Sequence, residues 1–340
     1  MTPAIGRPLR LAISTVAALI VGFPAIWGCF ALWYQSSPTT AAKVLWVGLW
    51  IAFSLAMLFA VFNGQVALGI IGFSAVFAVM LAWWTSLQPT NDHVWADDVA
   101  QMTTGVVAGN WVTLHNVRNF DWRTVTDYTQ RWETRTYDLE RLTSVDMVMS
   151  YWTGPAIAHM LISFGFDDGA QVVFSVEIRR QKTQQFSEVG GFFKEFELSV
   201  IAADERDVIR LRTNVRGEDD YLYRLQLPKT AIRSLFLAYV GEANSLIDTP
   251  RFYNTVSVNC TTLVYQMMKR IVGHLPLDYR LLFSGYLPEY VHSVGGLDSR
   301  YTLAELSRRG HITERALQSD RSDSFSADIR RGLLPGHDSP

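Results

Sequence analysis

Charge is almost missing from the first quarter of this 340-residue chain. Between positions 11 and 91 the one charged side chain is Lys43, in a stretch built of Leu, Ile, Val, Ala, Phe, Trp, Gly and Met. Each of three apolar runs there is close to the roughly 20 residues that a membrane-spanning helix needs; they lie at about residues 11–34, 44–62 and 65–87. A cleavable signal peptide accounts for one run, but not for three. The sequence therefore predicts a membrane domain with three transmembrane helices over residues 1–90.

The chain as a whole also lacks an excess of either charge. It has 30 Lys and Arg against 32 Asp and Glu, nearly all of them after the apolar region. No basic surface of the nucleic-acid-binding type is expected. Arg7 and Arg10 precede the first apolar run. Because short basic flanks stay on the cytoplasmic side, the N-terminus is predicted to lie inside and the third span to lead outward, although Lys43 would then lie on the outer side.

Cysteine is scarce, with Cys29 inside the first apolar run and Cys260 far from it. A disulfide between them is not expected. Ser257 or Asn259 can cap a helix that begins near Cys260, and Gly273 can end it. A thiol in the first turn of a helix has a lowered pKa, so Cys260 is either a nucleophile or an inert buried thiol. Helical apolar spacing supports this helix, at Leu263, Val264, Met267, Met268 and Ile271.

The region after the membrane domain reads as one mixed domain over residues 91–315. Residues 158–166 and 171–178 flank an Asp-Gly turn and predict a β-hairpin. A helix is expected from Pro228 to about Ile247, and a short helix from Thr302, with Glu305 completing a capping box. Residues 316–340 are poor in apolar side chains and are predicted to be disordered. Further strands are predicted near 111–114, 132–139, 191–201, 208–213 and 221–227.

A cysteine nucleophile needs a base, for which histidine is the usual residue. Of the seven histidines only His159 lies in a predicted strand, where a purely structural role is the alternative; the others are His93, His115, His274, His292, His311 and His337. A strand histidine facing a helix-start cysteine is the arrangement of papain-like and NlpC-type enzymes. Here the histidine comes first in the chain, as in circularly permuted members. The sequence thus predicts an α+β fold with an antiparallel sheet packed on the cysteine-bearing helix.

Four short stretches resemble the Lnb N-terminal periplasmic domain family, a former bacterial domain of unknown function placed among permuted NlpC-type folds. They are residues 158–161, 175–180, 204–207 and 252–262, and the similarity runs from about Asn119 to Gly296. The resemblance implies lipoprotein N-acylation, in which a cysteine takes an acyl group from a phospholipid and passes it to the amine of a lipoprotein. Together with the three predicted spans, it implies a multi-pass protein of the bacterial inner membrane whose C-terminal domain lies in the periplasm.

The catalytic hypothesis names Cys260 as nucleophile, His159 as base and the backbone N–H of Cys260 as an oxyanion donor. Glu177 can orient the imidazole if the hairpin register places it opposite His159. Its alternative is a structural ion pair with Arg179, Arg206 or Arg210. Hydroxyls at Ser257, Thr261 or Thr262 serve either as caps or as oxyanion donors. The Asp204-Glu205-Arg206-Asp207 run is interpreted as a salt-bridged turn rather than a metal site, because no histidine accompanies it.

Three functions remain open at this point. The first is an acyltransferase with a phospholipid donor and a lipoprotein acceptor, working without a cofactor or metal. The second is an NlpC-type cell-wall amidase or endopeptidase, in which water replaces the acceptor. The third is a non-catalytic envelope module that keeps the fold for binding.

Overall fold

A computed structural model describes residues 7–333 of the chain. His337, the end of the predicted disordered tail and the side chains of Arg7 and Arg10 lie outside the described part. The chain forms two compact units. One comprises the residues up to Thr90 together with Phe186–Glu195, and the other comprises Asn91–Gln185 and the residues from Phe196 onward.

The first unit is built on apolar helices, as predicted. Among the described residues, three helices are long and apolar enough to cross a membrane. They are α1 (Arg7–Gln35), α2 (Thr40–Phe62) and α3 (Val66–Ser86). Their contact is close where Gly28 meets Trp50, because a Cβ at Gly28 would lie 2.6 Å from the indole nitrogen. That nitrogen donates a hydrogen bond to the carbonyl of Ala25 at 2.9 Å.

Segment Phe186–Glu195 belongs to this first unit, although the sequence assigned it to the second domain. Phe193 stacks on Phe30 with ring centroids 5.3 Å apart. The amide nitrogen of Gln35 donates to the carbonyls of Phe193 and Lys194 at 3.0 and 2.6 Å. The predicted strand at 191–201 accordingly begins later, at Glu197.

A largely antiparallel sheet forms the centre of the second unit. The strands are β1 (Thr104–Ala108), β2 (Trp111–Arg118), β3 (Asp121–Trp122), β4 (Tyr128–Thr129), β5 (Trp132–Asp138), β6 (Leu142–Thr153), β7 (Ile157–Phe166), β8 (Gln171–Arg179), β9 (Glu197–Ala203) and β10 (Asp219–Arg224). Their order is β1-β2-β9-β8-β7-β6-β10, with β5 also paired to β2 and with β3 and β4 in a ribbon of their own. The β2–β9 contact is parallel, so the sheet is mixed rather than wholly antiparallel.

Helices cover both faces of this sheet, which confirms the α+β class. They are α4 (Glu205–Arg210), α5 (Lys229–Asp248), α6 (Cys260–Val272), α7 (Leu287–Ser293), α8 (Leu303–Gly310), α9 (Thr313–Gln318) and α10 (Phe325–Asp328). One face packs on α5 and α6 around Phe164, Phe174 and Phe236. The other face packs on α4 and the C-terminal helices around Leu161 and Phe325. The predicted hairpin, the helix after Pro228 and the capping box at Thr302 are all confirmed.

Two predictions about local structure are wrong. Residues 208–213 are helical rather than extended, because the Asp204 side chain accepts the N–H of Arg206 and starts α4, which continues as a π-helix to Arg216. The tail is ordered as far as Leu333 rather than disordered from Ala316. Three of its apolar side chains, Ala316, Phe325 and Ile329, are fully buried in the cluster on this face of the sheet.

Candidate functional site

Cys260 is the first residue of α6, as the capping pattern predicts. Asn259 caps the helix, and its side-chain oxygen accepts the N–H groups of Thr261 and Thr262, each at 2.9 Å. The Thr262 hydroxyl in turn accepts the N–H of Asn259 at 3.0 Å, which completes a capping box. Ser257 is not the cap, since its hydroxyl donates to Asn254. The thiol therefore lies at the positive end of a well-ordered helix.

His159 lies on β7 where that strand's pairing with β8 has just ended. The last paired residues are Leu161 and Ser175, and the same register continued by two residues places Glu177 opposite His159. Side chains alternate along a strand, so His159 and Glu177 share one face of the sheet. This is the register that the proposed orienting role of Glu177 requires.

A serine hydroxyl links the imidazole to the carboxylate. Nε2 of His159 is 2.8 Å from Oγ of Ser175, and that hydroxyl donates to Oε1 of Glu177 at 2.6 Å. The same carboxylate oxygen is 3.2 Å from Nε2. Since Nε2 is occupied in this way, Nδ1 is the ring nitrogen that remains for the thiol of Cys260, whose pKa His159 lowers.

Glu177 also forms a structural ion pair, but with a residue that the sequence did not suggest. Nη2 of Arg212 is 3.3 Å from Oε1 of Glu177, and Nη1 is 3.1 Å from Oε2 of Glu218. The three arginines considered from the sequence have other partners. Arg179 contacts Asn91, Arg206 contacts Asp323, and Arg210 contacts Asp320. Glu177 thus has both roles at once, beside an imidazole and beside a buried guanidinium.

The electrostatics favour a thiolate–imidazolium pair. Burial alone lowers the pKa of His159, but the Glu177 carboxylate and Cys260 outweigh it and raise this pKa to about 9. Burial raises the pKa of the Cys260 thiol, yet His159 overcomes this effect and holds the pKa below its ordinary value. Burial likewise opposes ionisation of Glu177, whose pKa nevertheless lies well below the usual range because of His159 and Arg212.

Two further groups lie near the sulfur. The backbone of Met160, one residue beyond His159, helps to lower the pKa of the Cys260 thiol, and the Thr261 hydroxyl lies 4.0 Å from Sγ. Tyr253 is also near, because burial and the negative charges of Cys260 and Glu177 together raise its pKa. Cys260 itself is only 7% exposed. The site is therefore a closed one, from which bulk water is largely excluded.

Sequence reasoning missed Ser175, Arg212, Met160 and Tyr253. Ser175 could have been found, since it lies two residues before Glu177 on the same strand and so on the same face. Arg212 gave no such signal, because its position depends on the π-helix that was interpreted as a strand. The effect of the Met160 backbone on Cys260 depends on where the pairing of β7 with β8 ends. No residue type in the sequence predicts that position.

The other candidate groups lie elsewhere. His93 is 3.9 Å from Glu197, and the ring nitrogens of His115 and His292 contact Thr134 and the Tyr301 carbonyl. His274 is exposed, and His311 pairs with Asp219. The 204–207 run starts α4, with Asp207 bound to Arg118 and Glu205 bound to Arg330. No group of three potential metal ligands occurs among residues 7–333.

A cavity of about 730 Å³ lies at the opposite end of the β7–β8 hairpin. Its walls include Tyr137, Phe166, Asp168 and Ser324. Neither Cys260 nor His159 lines this cavity, so the cavity is separate from the cysteine–histidine site.

Comparison with known families finds one match, which covers part of the chain. Residues 128–285 match the family model of the Lnb N-terminal periplasmic domain. The resemblance inferred from the sequence is thereby confirmed for this part of the chain, which contains His159, Glu177 and Cys260. No curated protein and no solved structure matches the chain. The Lnb-type domain follows three apolar helices here.

Proposed function

We propose that this protein is a membrane-bound cysteine acyltransferase acting at the periplasmic face. The observation that carries the proposal is the buried Cys260 at the start of a capped helix together with a His159 held by Ser175 and Glu177, in a chain with three helices suited to a membrane. A thiolate stabilised by a helix N-terminus and a neighbouring imidazolium is an activated nucleophile.

The first step is attack of the Cys260 thiolate on the carbonyl carbon of a phospholipid acyl ester. Negative charge develops on the carbonyl oxygen, next to the N-terminus of α6, where the backbone N–H of Cys260 is the donor that we assign to it. Collapse of this intermediate breaks the ester bond. His159 then gives its proton to the departing lysophospholipid alkoxide, which leaves a neutral imidazole and a thioester on Cys260.

The second step transfers the acyl group to an amine, for which the N-terminus of a lipoprotein is our candidate. The amine attacks the thioester carbonyl and loses a proton to His159, while Cys260 leaves as a thiolate. The products are an amide and the starting ion pair. Ser175 and Glu177 keep the imidazole oriented in both steps, because they hold Nε2 and leave Nδ1 towards the sulfur.

The three apolar helices place this chemistry at a membrane in our proposal. The basic residues Arg7 and Arg10, which precede the first candidate span at Leu11, keep the N-terminus in the cytoplasm in this proposal. An odd number of spans then delivers the Lnb-type domain to the periplasmic side of the bacterial inner membrane. An acyl chain can then reach Cys260 from the lipid without passing through water.

The proposal predicts that radiolabelled phospholipid leaves an acyl group on the purified full-length protein, and that hydroxylamine removes it. Cys260→Ala should abolish this label. Cys29→Ala is the matched control, because it removes the other cysteine of the chain and should label as the parent does. Equal labelling of Cys260→Ala and the parent overturns the thioester mechanism.

A second measurement separates transfer from hydrolysis. Addition of an N-terminal lipoprotein peptide should consume the thioester and yield an acylated peptide of the corresponding mass. Release of free fatty acid alone, or cleavage of cell-wall fragments, would instead support the NlpC-type hydrolase. Full complementation of a deletion strain by both Cys260→Ser and His159→Ala would support a non-catalytic module.

A further inference from the structure

The segment that follows α6 exposes an unusual amount of apolar surface. Four of the seven residues from Leu277 to Phe283 are large, apolar and exposed: Leu277, Tyr279, Leu282 and Phe283. Leu277 is 81% exposed. Single exposed apolar residues are common on soluble proteins, whereas a contiguous group marks an interaction surface. We call residues 277–283 the apolar loop.

The apolar loop is fixed rather than loose. Leu281 at its centre is buried, and the tyrosine hydroxyls of Tyr265 and Tyr290 donate to the carbonyls of Leu275 and Pro276 just before it. The exposed side chains therefore stand on a backbone held from both α6 and α7.

The apolar loop is also tied to the strand that carries the histidine. The hydroxyl of Ser284, the next residue, donates to the carbonyl of Ala158 at 2.7 Å and accepts its N–H at 3.0 Å. The N–H of Gly285 donates to the carbonyl of Ala156 at 3.0 Å. A surface that binds through this loop would consequently lie beside the residue that precedes His159.

Two basic residues without a salt bridge lie at the end of the helix that leads to the apolar loop. Lys269 and Arg270 are exposed in the last turn of α6, and neither forms a salt bridge among the described residues. Within the loop Asp278 and Arg280 neutralise each other at 2.7 Å. Basic residues beside exposed Leu, Tyr and Phe are the pattern of a surface that inserts apolar side chains among lipids and attracts their phosphates.

We infer that the apolar loop docks on the lipid bilayer, with Lys269 and Arg270 facing the headgroups of anionic phospholipids. A lipid surface is favoured over a protein partner because the same chain carries three helices suited to a membrane, which keep the bilayer within reach at high effective concentration. The inference rests on the proposed function in one respect, since it gives the phospholipid donor a route to Cys260.

The test uses the full chain with Cys29→Ser and Cys260→Ala, so that one introduced cysteine can be labelled. An environment-sensitive dye at Leu282→Cys, in vesicles of phosphatidylethanolamine and phosphatidylglycerol, should be quenched by lipids that carry a nitroxide near the headgroup. The matched control is the dye at Leu317→Cys in α9, since Leu282 and Leu317 are 50% and 51% exposed. It should not be quenched.

Three variants test the chemistry of docking. Leu277→Asp with Phe283→Asp should abolish quenching at position 282, and Lys269→Glu or Arg270→Glu should weaken it by about fivefold each in anionic vesicles. All four side chains are exposed, so the circular dichroism spectrum should not change. Equal quenching at 282 and 317, or none at 282, overturns the inference. A dye response that follows protein concentration instead of nitroxide lipid would assign the apolar loop to self-association, and also overturns it.

These outcomes are independent of catalysis, because the labelled chain lacks Cys260. Quenching without thioester formation in the parent protein would leave docking intact and refute the acyltransferase proposal. Thioester formation without quenching would do the reverse. In the active protein, the Leu277→Asp and Phe283→Asp pair should lower acylation from vesicles while leaving alkylation of Cys260 by iodoacetamide unchanged.

Discussion

Each buried charge around His159 has a neighbour that stabilises it. The Glu177 carboxylate contacts the imidazole, accepts a hydrogen bond from the Ser175 hydroxyl and forms an ion pair with Arg212. Arg212 is itself held by Glu218. A buried ion that loses its partner costs several kcal/mol, so the carboxylate stays ionised only while these neighbours remain. The ionisation of Cys260 depends on the same balance, since His159 is what lowers the pKa of the thiol.

Glu177→Gln should therefore raise the pKa of the Cys260 thiol. The carboxylate is what holds the pKa of His159 at about 9 against burial. Without it the imidazole is neutral over a wider pH range and no longer stabilises the thiolate. The pH midpoint for alkylation of Cys260 by iodoacetamide should move upward by about one unit or more.

Glu218→Gln is the matched control for this change. It removes the other carboxylate on Arg212, but Glu218 contacts Ser150 and Arg212 rather than the imidazole. The pH midpoint for alkylation of Cys260 in Glu218→Gln should stay closer to that of the parent protein. An unchanged midpoint in Glu177→Gln, or an equal shift in both variants, would contradict the assigned electrostatic role.

The capping box of α6 links helix stability to the reactivity of its first residue. Asn259 and Thr262 together hold the N–H groups of the first turn in line with the helix axis. If that turn frays, the thiol loses the aligned dipoles that favour its ionised form. The effect belongs to the helix as a unit, because none of these capping groups needs to touch the sulfur.

Asn259→Ala should lower the free energy of unfolding by about 1 kcal/mol and raise the alkylation midpoint of Cys260. Urea unfolding followed by circular dichroism gives the first quantity, and the pH profile of alkylation gives the second. Thr302→Ala removes the capping box of α8 and should cost a similar amount of stability without moving the midpoint. A midpoint that Asn259→Ala leaves in place would show that the cap acts on stability alone.

The elements that the sequence predicts well are those with their own local signals. The helix at Cys260 has a cap, an apolar stripe and a terminal Gly273. The hairpin has strand alternation and an Asp-Gly turn, with Gly169 at φ +86°. Residues 208–213 are wrongly predicted as a strand because Val208 and Ile209 are common strand residues. The Asp204 cap, which starts the helix, lies outside that segment.

The candidate site also divides into residues with a local sequence signal and residues without one. Cys260, His159 and Glu177 could be named because a helix start, a strand and a hairpin register are local features. Ser175 needed only the alternation of side chains along β8. Arg212 lies on a π-helix in a different part of the chain. Its ion pair with Glu177 therefore could not be predicted before the packing was known.

In the second unit as a whole, the C-terminal residues close one face of the sheet. Arg330 makes buried ion pairs with Asp146 on β6 and Glu205 on α4, at 2.9 and 2.6 Å. Phe325 and Ile329 bury their side chains against the same face. A segment poor in apolar residues is thus ordered by a few contacts with residues far away in the sequence. Amino-acid composition alone does not predict such contacts.

Arg330→Ala should cost about 3–5 kcal/mol, because it leaves the buried carboxylate of Glu205 without its cation and leaves Asp146 with Arg224 alone. Arg331→Ala is the matched control. Its side chain is 76% exposed, and its partner Asp328 keeps the hydroxyls of Ser322 and Ser324, so its removal should cost no more than about 1 kcal/mol. Thermal unfolding of the full chain measures both. Equal small losses would mean that the C-terminal segment contributes little to the fold.

Segment Phe186–Glu195 makes the chain leave the Lnb-type domain and return to it between two neighbouring strands. The backbone therefore passes between the two units three times, at residues 90–91, 185–186 and 195–196. A single proteolytic cut at the first junction would not release either unit. A truncated protein beginning at Asn91 would carry Phe193 without the Phe30 ring on which it stacks, and so would gain an aggregation-prone surface that the intact chain covers.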